Sequence, residues 1–294
     1  MPVKLGDVAE RMAQGIRTSA NEIYVVDYVS EKTNVVSAFS KQLNKNVELN
    51  KSSLSLFLQG REIKRYQILP SGKMVIIPYQ MEKGRAILNS QKVMKEDSLL
   101  TLAYLTENKM FLENREKGKM KGAEWYAYVY PKNIDLMKQS KILIPDIADR
   151  AQFAFDENGD YAFTSGYGIT LKNNTGLSHK YVLGLLNSKL LEYYLKRVST
   201  PMRGGFFRFF TQFMERIPIR AIDFTNPAEK SQHEKMVSLV TQMLELHKSK
   251  AGAKTQSETA VYERQIRAVD GQIDSLVYEL YELTSDEIKI VEGK

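Results

Sequence analysis

A heptad pattern of apolar residues near the end of the chain constrains the fold more than any other feature. The pattern places one apolar face on a helix, as in a coiled coil. It predicts a helix from about Ser257 to Glu282, in which Gly271 should cost about 1 kcal/mol. Its positions are separated by alternating steps of four and three residues: Tyr262, Ile266, Val269, Ile273, Leu276, Leu280 and Leu283.

A second amphipathic segment precedes this helix, from about Pro227 to Ser249. Asn226 suits the N-cap position, and Pro227 suits the first turn. Because residues 250–256 form only a short glycine-containing loop, we expect the two helices to pair in antiparallel fashion. The apolar seam of the first helix consists of Met236, Leu239, Val240, Met243 and Leu246.

The sequence before the helical pair is mixed and rich in short strand-like runs. β-branched and aromatic runs predict strands at 23–26, 74–77, 125–130, 141–144, 152–155 and 161–163. Helical patterns cover 97–111 and 179–196, and Asn158-Gly159 between two aromatic runs predicts a hairpin. We therefore predict an α+β fold. An irregular mixed β-sheet with packed helices would occupy residues 1–222, and an antiparallel two-helix coiled-coil-like element would occupy residues 223–294.

Composition sets limits on the class of protein. The 294 residues, 43% of them apolar, are enough for one large core or two smaller ones. There are no cysteines, which excludes disulfides and thiolate metal sites. No apolar run approaches the roughly 20 residues that span a bilayer, and residues 1–4 do not resemble a secretory signal. These features predict a cytoplasmic protein without a membrane partner.

The net charge of +7 is unevenly distributed along the chain. Residues 221–294 contain 9 cationic and 13 acidic side chains, whereas residues 1–220 contain 33 and 22. A basic body is typical of a protein that contacts nucleic acid. The alternative interpretation is a soluble protein whose high isoelectric point has no functional meaning.

The sequence lacks the complete signatures of a DNA methyltransferase and of a metal nuclease. An amino-methylating DNA methyltransferase needs a glycine-rich loop for S-adenosylmethionine and an Asn/Asp-Pro-Pro-Tyr/Phe motif beside the flipped base. A metal nuclease needs an acidic residue followed by Glu-x-Lys, but Pro145-Asp146 has no such triplet after it at short spacing. The histidines at 179, 233 and 247 are scattered. We predict no catalytic residue, metal or cofactor within this chain.

Two segments combine cations with turn-forming or aromatic residues. One is 60–66, Gly-Arg-Glu-Ile-Lys-Arg-Tyr, and the other is 203–208, Arg-Gly-Gly-Phe-Phe-Arg. Arginine and lysine suit phosphate and guanine contacts, and glycine allows close approach of the backbone. The alternatives are a solvated charged turn for the first segment and core phenylalanines for the second. The predicted DNA-contacting residues are Gln14, Arg17, Thr18, Arg61, Lys64, Arg65, Arg203, Gly204, Gly205 and Arg208.

The order of several motifs resembles a known family, the TaqI-like C-terminal specificity domain of adenine-N6 methyltransferases from type II restriction–modification systems. The tail also resembles the spacer helices of type I specificity subunits, although Arg220 stands where that pattern has its second proline. The motifs lie at 15–21, 60–66, 125–126, 141–146, 183–190, 203–208 and 217–219.

The resemblance implies a module that recognises a specific double-stranded DNA sequence. It also implies a separate catalytic domain or subunit that binds S-adenosylmethionine and docks on the helical pair, with no methyltransferase residue in this chain. Two other hypotheses stay open at this point. The chain could be an adaptor whose helical tail pairs with another protein, or a DNA-modifying enzyme with a divergent site.

Overall fold

The computed structural model describes residues 2–294 and confirms the predicted α+β fold, with one six-stranded and one four-stranded sheet. No helix in this range is long and apolar enough to cross a bilayer. The strands are β1 Pro2–Lys4, β2 Ala9–Gln14, β3 Val25–Lys32, β4 Val35–Ser40, β5 Lys45–Asn50, β6 Leu54–Leu58, β7 Ile63–Lys64, β8 Gln67–Ile68, β9 Lys73–Ile76, β10 Tyr79–Glu82, β11 Arg85–Leu88, β12 Lys141–Pro145, β13 Ile147–Ala148, β14 Ala154–Asp156, β15 Tyr161–Phe163, β16 Gly166–Leu171, β17 Phe207–Arg208 and β18 Pro218–Arg220.

Helices cluster in the middle and at the end of the chain. Short 3-10 turns occur at Lys51–Ser53, Gly60–Glu62, Asp135–Lys138 and Asn173–Thr175. The α-helices are α1 Leu5–Val8, α2 Asn21–Tyr24, α3 Gln91–Asp97, α4 Leu99–Glu107, α5 Lys109–Glu113, α6 Arg115–Gly118, α7 His179–Leu186, α8 Lys189–Val198, α9 Thr211–Met214, α10 Pro227–Ala251, α11 Gln256–Leu280 and α12 Ser285–Glu292.

The six-stranded sheet has the order β15-β6-β9-β3-β4-β5, in which only the β15–β6 pair is parallel. Its buried face forms one hydrophobic core together with α4, α5 and the aromatic segment 125–128. The four-stranded sheet has the order β14-β12-β16-β2, and all its pairs are antiparallel. It forms a second core with α7, α8, α10 and α11.

The C-terminal helices pack together as predicted, over 227–251 and 256–280. Gln232 near the start of α10 bonds to Glu279 near the end of α11, so the pair is antiparallel. The pair also packs on the body. A Cβ atom on Gly184 of α7 would lie 2.5 Å from the sulfur of Met236 and 2.9 Å from a methyl group of Val240, so the absence of a side chain at Gly184 lets α10 pack closely here.

Core residues therefore lie on both sides of residue 222, and the division of the chain into domains there stays a prediction. The last helix, α12, was absent from the sequence interpretation. Thr284 caps this helix by accepting a hydrogen bond from the backbone N–H of Glu287.

The aromatic run 125–130 forms turns, so the strand predicted there is wrong. The buried guanidinium of Arg115 explains this outcome. It donates to the carbonyls of Trp125 and Ala127, at 2.9 and 2.8 Å, and to that of Thr18 at 3.2 Å. The carbonyls of Trp125 and Ala127 accept from the same nitrogen, Nη2, so they lie closer together than the roughly 6.6 Å between the carbonyls of residues i and i+2 in an extended strand.

The hairpin predicted at Asn158-Gly159 is also wrong, because the two flanking strands enter different sheets. β14 pairs with β12, whereas β15 pairs with β6. The buried carboxylate of Asp156 accepts hydrogen bonds from the backbone N–H groups of Asp160 and Tyr161, which redirects the chain.

The helix predicted over 179–196 is divided into α7 and α8. Asn187 leaves the helix to exchange hydrogen bonds with the backbone of Phe153, at 3.0 and 2.9 Å. Ser188 then caps α8 by accepting from the N–H of Leu191.

Candidate nucleic-acid interface

A cleft of about 580 Å³ brings together the two segments that the sequence singled out, although about 140 residues separate them. The first segment contributes Arg61 and Lys64, and the second contributes Phe206. The complete lining is Gln59, Gly60, Arg61, Lys64, Pro145, Asp146, Ile147, Ala148, Asp149, Gln152, Ser165 and Phe206.

The first segment begins with a tight turn that presents Arg61 to solvent. The carboxylate of Glu62 accepts from the N–H of Gln59 at 2.7 Å and from Nε of Arg61 at 2.7 Å. A Cβ atom on Gly60 would lie 2.3 Å from the carbonyl oxygen of Ser165, so glycine is required for this packing. The side chain of Arg61 is 70% exposed, which leaves most of its donors available.

The second segment forms a hairpin-like projection at the edge of the cleft. Phe207 and Arg208 pair with Ala148 and Ile147 in antiparallel fashion. The N–H of Met202 donates to the carbonyl of Phe206 at 2.7 Å, which closes the turn. Within the turn, Arg203 and the two glycines that follow it are exposed. The turn therefore projects one cation and a glycine backbone into solvent beside the cleft.

Gln14 and Arg17 lie in a neighbouring cleft of about 280 Å³, together with Tyr130, Lys132 and Asn133. One lining glycine of each cleft contacts the chain segment 163–166. The N–H of Gly15 donates to the carbonyl of Gly166, while Gly60 packs on the carbonyl of Ser165. The two clefts are therefore supported by the same chain segment.

Thr18 is only 1% exposed, so the prediction that it is a surface residue is wrong. Its hydroxyl donates to Asn21 at 2.7 Å and accepts from the N–H of Ala20. These bonds complete the local turn and leave the hydroxyl no access to DNA.

Arg65 has a structural role in place of the predicted DNA contact. Its Nη2 donates to Asp270 of α11 at 2.6 Å and to the carbonyl of Asn187 at 2.7 Å. The guanidinium also lies 4.9 Å from the ring of Tyr66. Arg65 therefore joins the cleft segment to the C-terminal helices. Arg208 is half-buried, and its guanidinium lies 5.3 Å from the ring of Phe210.

Sequence reasoning missed several polar groups of the cleft. Asp146, Asp149 and Gln152 line it together with the cations. Asp146 directly follows the apolar strand β12, and that position was the available signal. Carboxylate and amide groups can bond to base edges, while the cations suit phosphate oxygens.

Within residues 2–294 there is no group of three or more His, Cys, Asp or Glu side chains arranged to hold a metal ion. The predicted lack of a metal or a cofactor stays a prediction. In chemical terms, the arrangement offers cations, amides and carboxylates around an open cleft, which suits binding of a charged polymer.

The sequence of this chain is similar to those of known proteins. The family model described as "TaqI-like C-terminal specificity domain" matches residues 55–219. "Type II restriction enzyme and methyltransferase RM.Eco57I" of Escherichia coli is 23% identical over 95% of this chain and 29% of its own length. "Type II methyltransferase M.BstVI" of Geobacillus stearothermophilus is 23% identical over 94% of this chain and 40% of its own length. The chain thus spans well under half the length of either relative.

Proposed function

We propose that this chain, which belongs to the family of TaqI-like C-terminal specificity domains, recognises a specific double-stranded DNA sequence for a type II methyltransferase. The observation that carries this proposal is the cleft. Segments 60–66 and 203–208 are distant in sequence, yet both contribute to its edge. Arg61 and Lys64 of the first segment and Phe206 of the second therefore line one cleft.

The cations and the other polar side chains of the cleft have different proposed roles. Arg61 and Lys64 line the cleft, and Arg203 is exposed on the turn that carries Phe206. These cations would contact phosphate oxygens, which supply affinity. Asp149 and Gln152 would accept or donate hydrogen bonds at base edges in the major groove, which supply sequence discrimination. The excess of cationic over acidic residues in 1–220 supports this orientation, since the basic body would lie toward the DNA.

The C-terminal helices have a different proposed role. One side of the α10–α11 pair is buried against the body, and the opposite side is exposed. We propose that the exposed side docks a methyltransferase domain or subunit, and that S-adenosylmethionine binds in that partner. The relatives named methyltransferases support a partner of this kind, since the chain spans only part of their length.

Fluorescence anisotropy with a labelled duplex of random sequence tests the DNA-binding step. Wild type should bind at low salt, and the logarithm of its affinity should fall linearly with the logarithm of salt concentration. Replacing Arg61 and Lys64 by alanine should weaken binding and reduce that slope by about two.

The matched control replaces two exposed lysines of the tail, Lys230 and Lys254, which lie far from the cleft in the sequence and on other elements. This double variant removes the same charge but should bind like wild type. Equal loss in both double variants would show that net charge alone determines binding. Lack of wild-type binding at low salt would contradict the proposed function.

A further inference from the structure

The projection formed by residues 202–206 carries an aromatic side chain that the fold leaves uncovered. Of the four phenylalanines between 206 and 210, Phe209 is fully buried, and Phe207 and Phe210 are half-buried. Phe206 is 43% exposed and lines the cleft beside the cations. Its position at the cleft distinguishes it from isolated surface aromatics, which are common and without function.

The backbone beneath this ring is unusual. Gly204 and Gly205 adopt φ angles of +81° and +78°, a conformation that other residues rarely take. A Cβ atom on Gly204 would touch the Phe206 ring at 3.4 Å, so the glycine backbone lies against one part of the ring. The bond between Met202 and Phe206 holds the base of the turn. The sequence thus builds a narrow turn with an aromatic ring at its edge.

We propose that Phe206 stacks on an unstacked nucleobase of the bound DNA. The ligand is the π-face of a base that has lost its neighbour, at a kinked step or beside a displaced nucleotide. This inference rests on the proposed function, because the DNA must first be held in the cleft. Aromatic side chains bind base faces with little sequence preference, and apolar side chains open base steps when cations neutralise the adjacent phosphates.

A tryptophan reporter at this position tests the proposal directly. The chain has a single tryptophan, Trp125, which is buried and gives a constant background signal. In the full chain, Phe206→Trp should lose a large part of its added fluorescence when a random-sequence duplex with one abasic site binds, because stacked bases quench indole emission. Phe224→Trp is the matched control: Phe224 is 38% exposed and precedes α10, outside the cleft. Its fluorescence should not change.

Affinity measurements test the stacking contact independently. A duplex with one abasic site presents an unstacked base, so wild type should bind it more tightly than the fully paired duplex. Phe206→Ala should bind the abasic duplex about tenfold more weakly than wild type and lose most of this preference. The substitution should leave the affinity for the fully paired duplex nearly unchanged.

The outcomes separate this proposal from the proposed function. If the duplex binds with salt dependence but Phe206→Trp is not quenched and Phe206→Ala keeps the abasic preference, the stacking proposal is overturned while DNA recognition stands. If no variant binds duplex DNA at low salt, both are overturned. Quenching at position 206 alone, with loss of the abasic preference in Phe206→Ala, supports the stacking contact.

Discussion

The ammonium group of Lys141 on β12 forms an ion pair with the carboxylate of Asp156 on β14, and both side chains are buried, at 0% and 1% exposure. Lys141 also donates to the carbonyls of Met137 and Gln139. Because burial disfavours the charged form, the pKa of Lys141 is lowered from its usual value, although Asp156 opposes this shift. The pair joins β12 to β14, and Asp156 also holds the turn that follows β14.

Replacing Asp156 by asparagine should therefore destabilise the protein strongly. The substitution leaves the Lys141 ammonium buried without a counter-charge, which costs about 3–5 kcal/mol in comparable sites. Urea unfolding followed by circular dichroism measures the free energy of unfolding. As control, Asp286→Asn removes an exposed carboxylate from its pair with Lys289 and should change stability very little. Equal stability of both variants would contradict this account.

Arg61 and Arg65 are four residues apart, yet their substitution should have opposite consequences. Arg65→Met removes the bonds to Asp270 and Asn187, and should lower the free energy of unfolding by about 1–3 kcal/mol. Arg61→Met removes an exposed cation, and should leave stability unchanged while reducing the salt slope of DNA binding by about one. Unfolding curves and anisotropy titrations of both variants, measured side by side, test this assignment. A stable Arg65→Met variant with a reduced salt slope would reverse it.

Elements that depend on a local sequence pattern could be predicted, whereas elements that depend on distant partners could not. The helical pair was predictable, because its heptad seam is a local property and its partner lies next to it in sequence. The aromatic run at 125–130 has the composition of a strand, but Arg115 binds its carbonyl groups. No periodicity within the run signals that distant cation.

Contacts with residues distant in sequence also limited the prediction of the site. Arg61 and Arg203 were recognisable as exposed cations on glycine turns, and the structure places both segments beside one cleft. Arg65 could not be excluded in the same way, because its partner Asp270 is far away in the chain. Thr18 bonds to its neighbours Asn21 and Ala20, but its burial depends on the packing of the whole domain around that turn. The outward position of Phe206 depends on which of four adjacent phenylalanines the core accepts, and composition does not distinguish among them.

Stability should also depend on pH through His247 on α10. Burial lowers the pKa of His247 from 6.5 to about 4, and the nearby Lys250 and Arg65 contribute to this shift, while Asp270 opposes them. Between about pH 6.5 and pH 4 the unfolded chain binds a proton that the folded protein does not, so the free energy of unfolding falls as pH decreases through this window.

His247→Gln should weaken this dependence. Urea unfolding at about pH 7.5 and about pH 5 gives the difference for each protein, and the difference should be smaller in the variant. Part of the dependence should persist, since burial also lowers the pKa values of His179 and His233. An identical difference in wild type and variant would show that His247 is not the titrating group.

Three glycines provide a test of packing that needs no ligand. A Cβ atom on Gly15 would lie 2.0 Å from the carbonyl oxygen of Phe163, and one on Gly60 would lie 2.3 Å from that of Ser165. Alanine at either position forces apart backbone segments beside the candidate interface, and should lower the free energy of unfolding by about 1–3 kcal/mol or more. A Cβ atom on Gly271 within α11 would meet nothing within 4 Å, so Gly271→Ala should raise stability by about 0.5–1 kcal/mol through better helix propensity. Thermal and urea unfolding of the three variants should therefore give two losses and one gain. A gain at Gly15 or Gly60 would mean that the chain between Phe163 and Ser165 can move away from that turn.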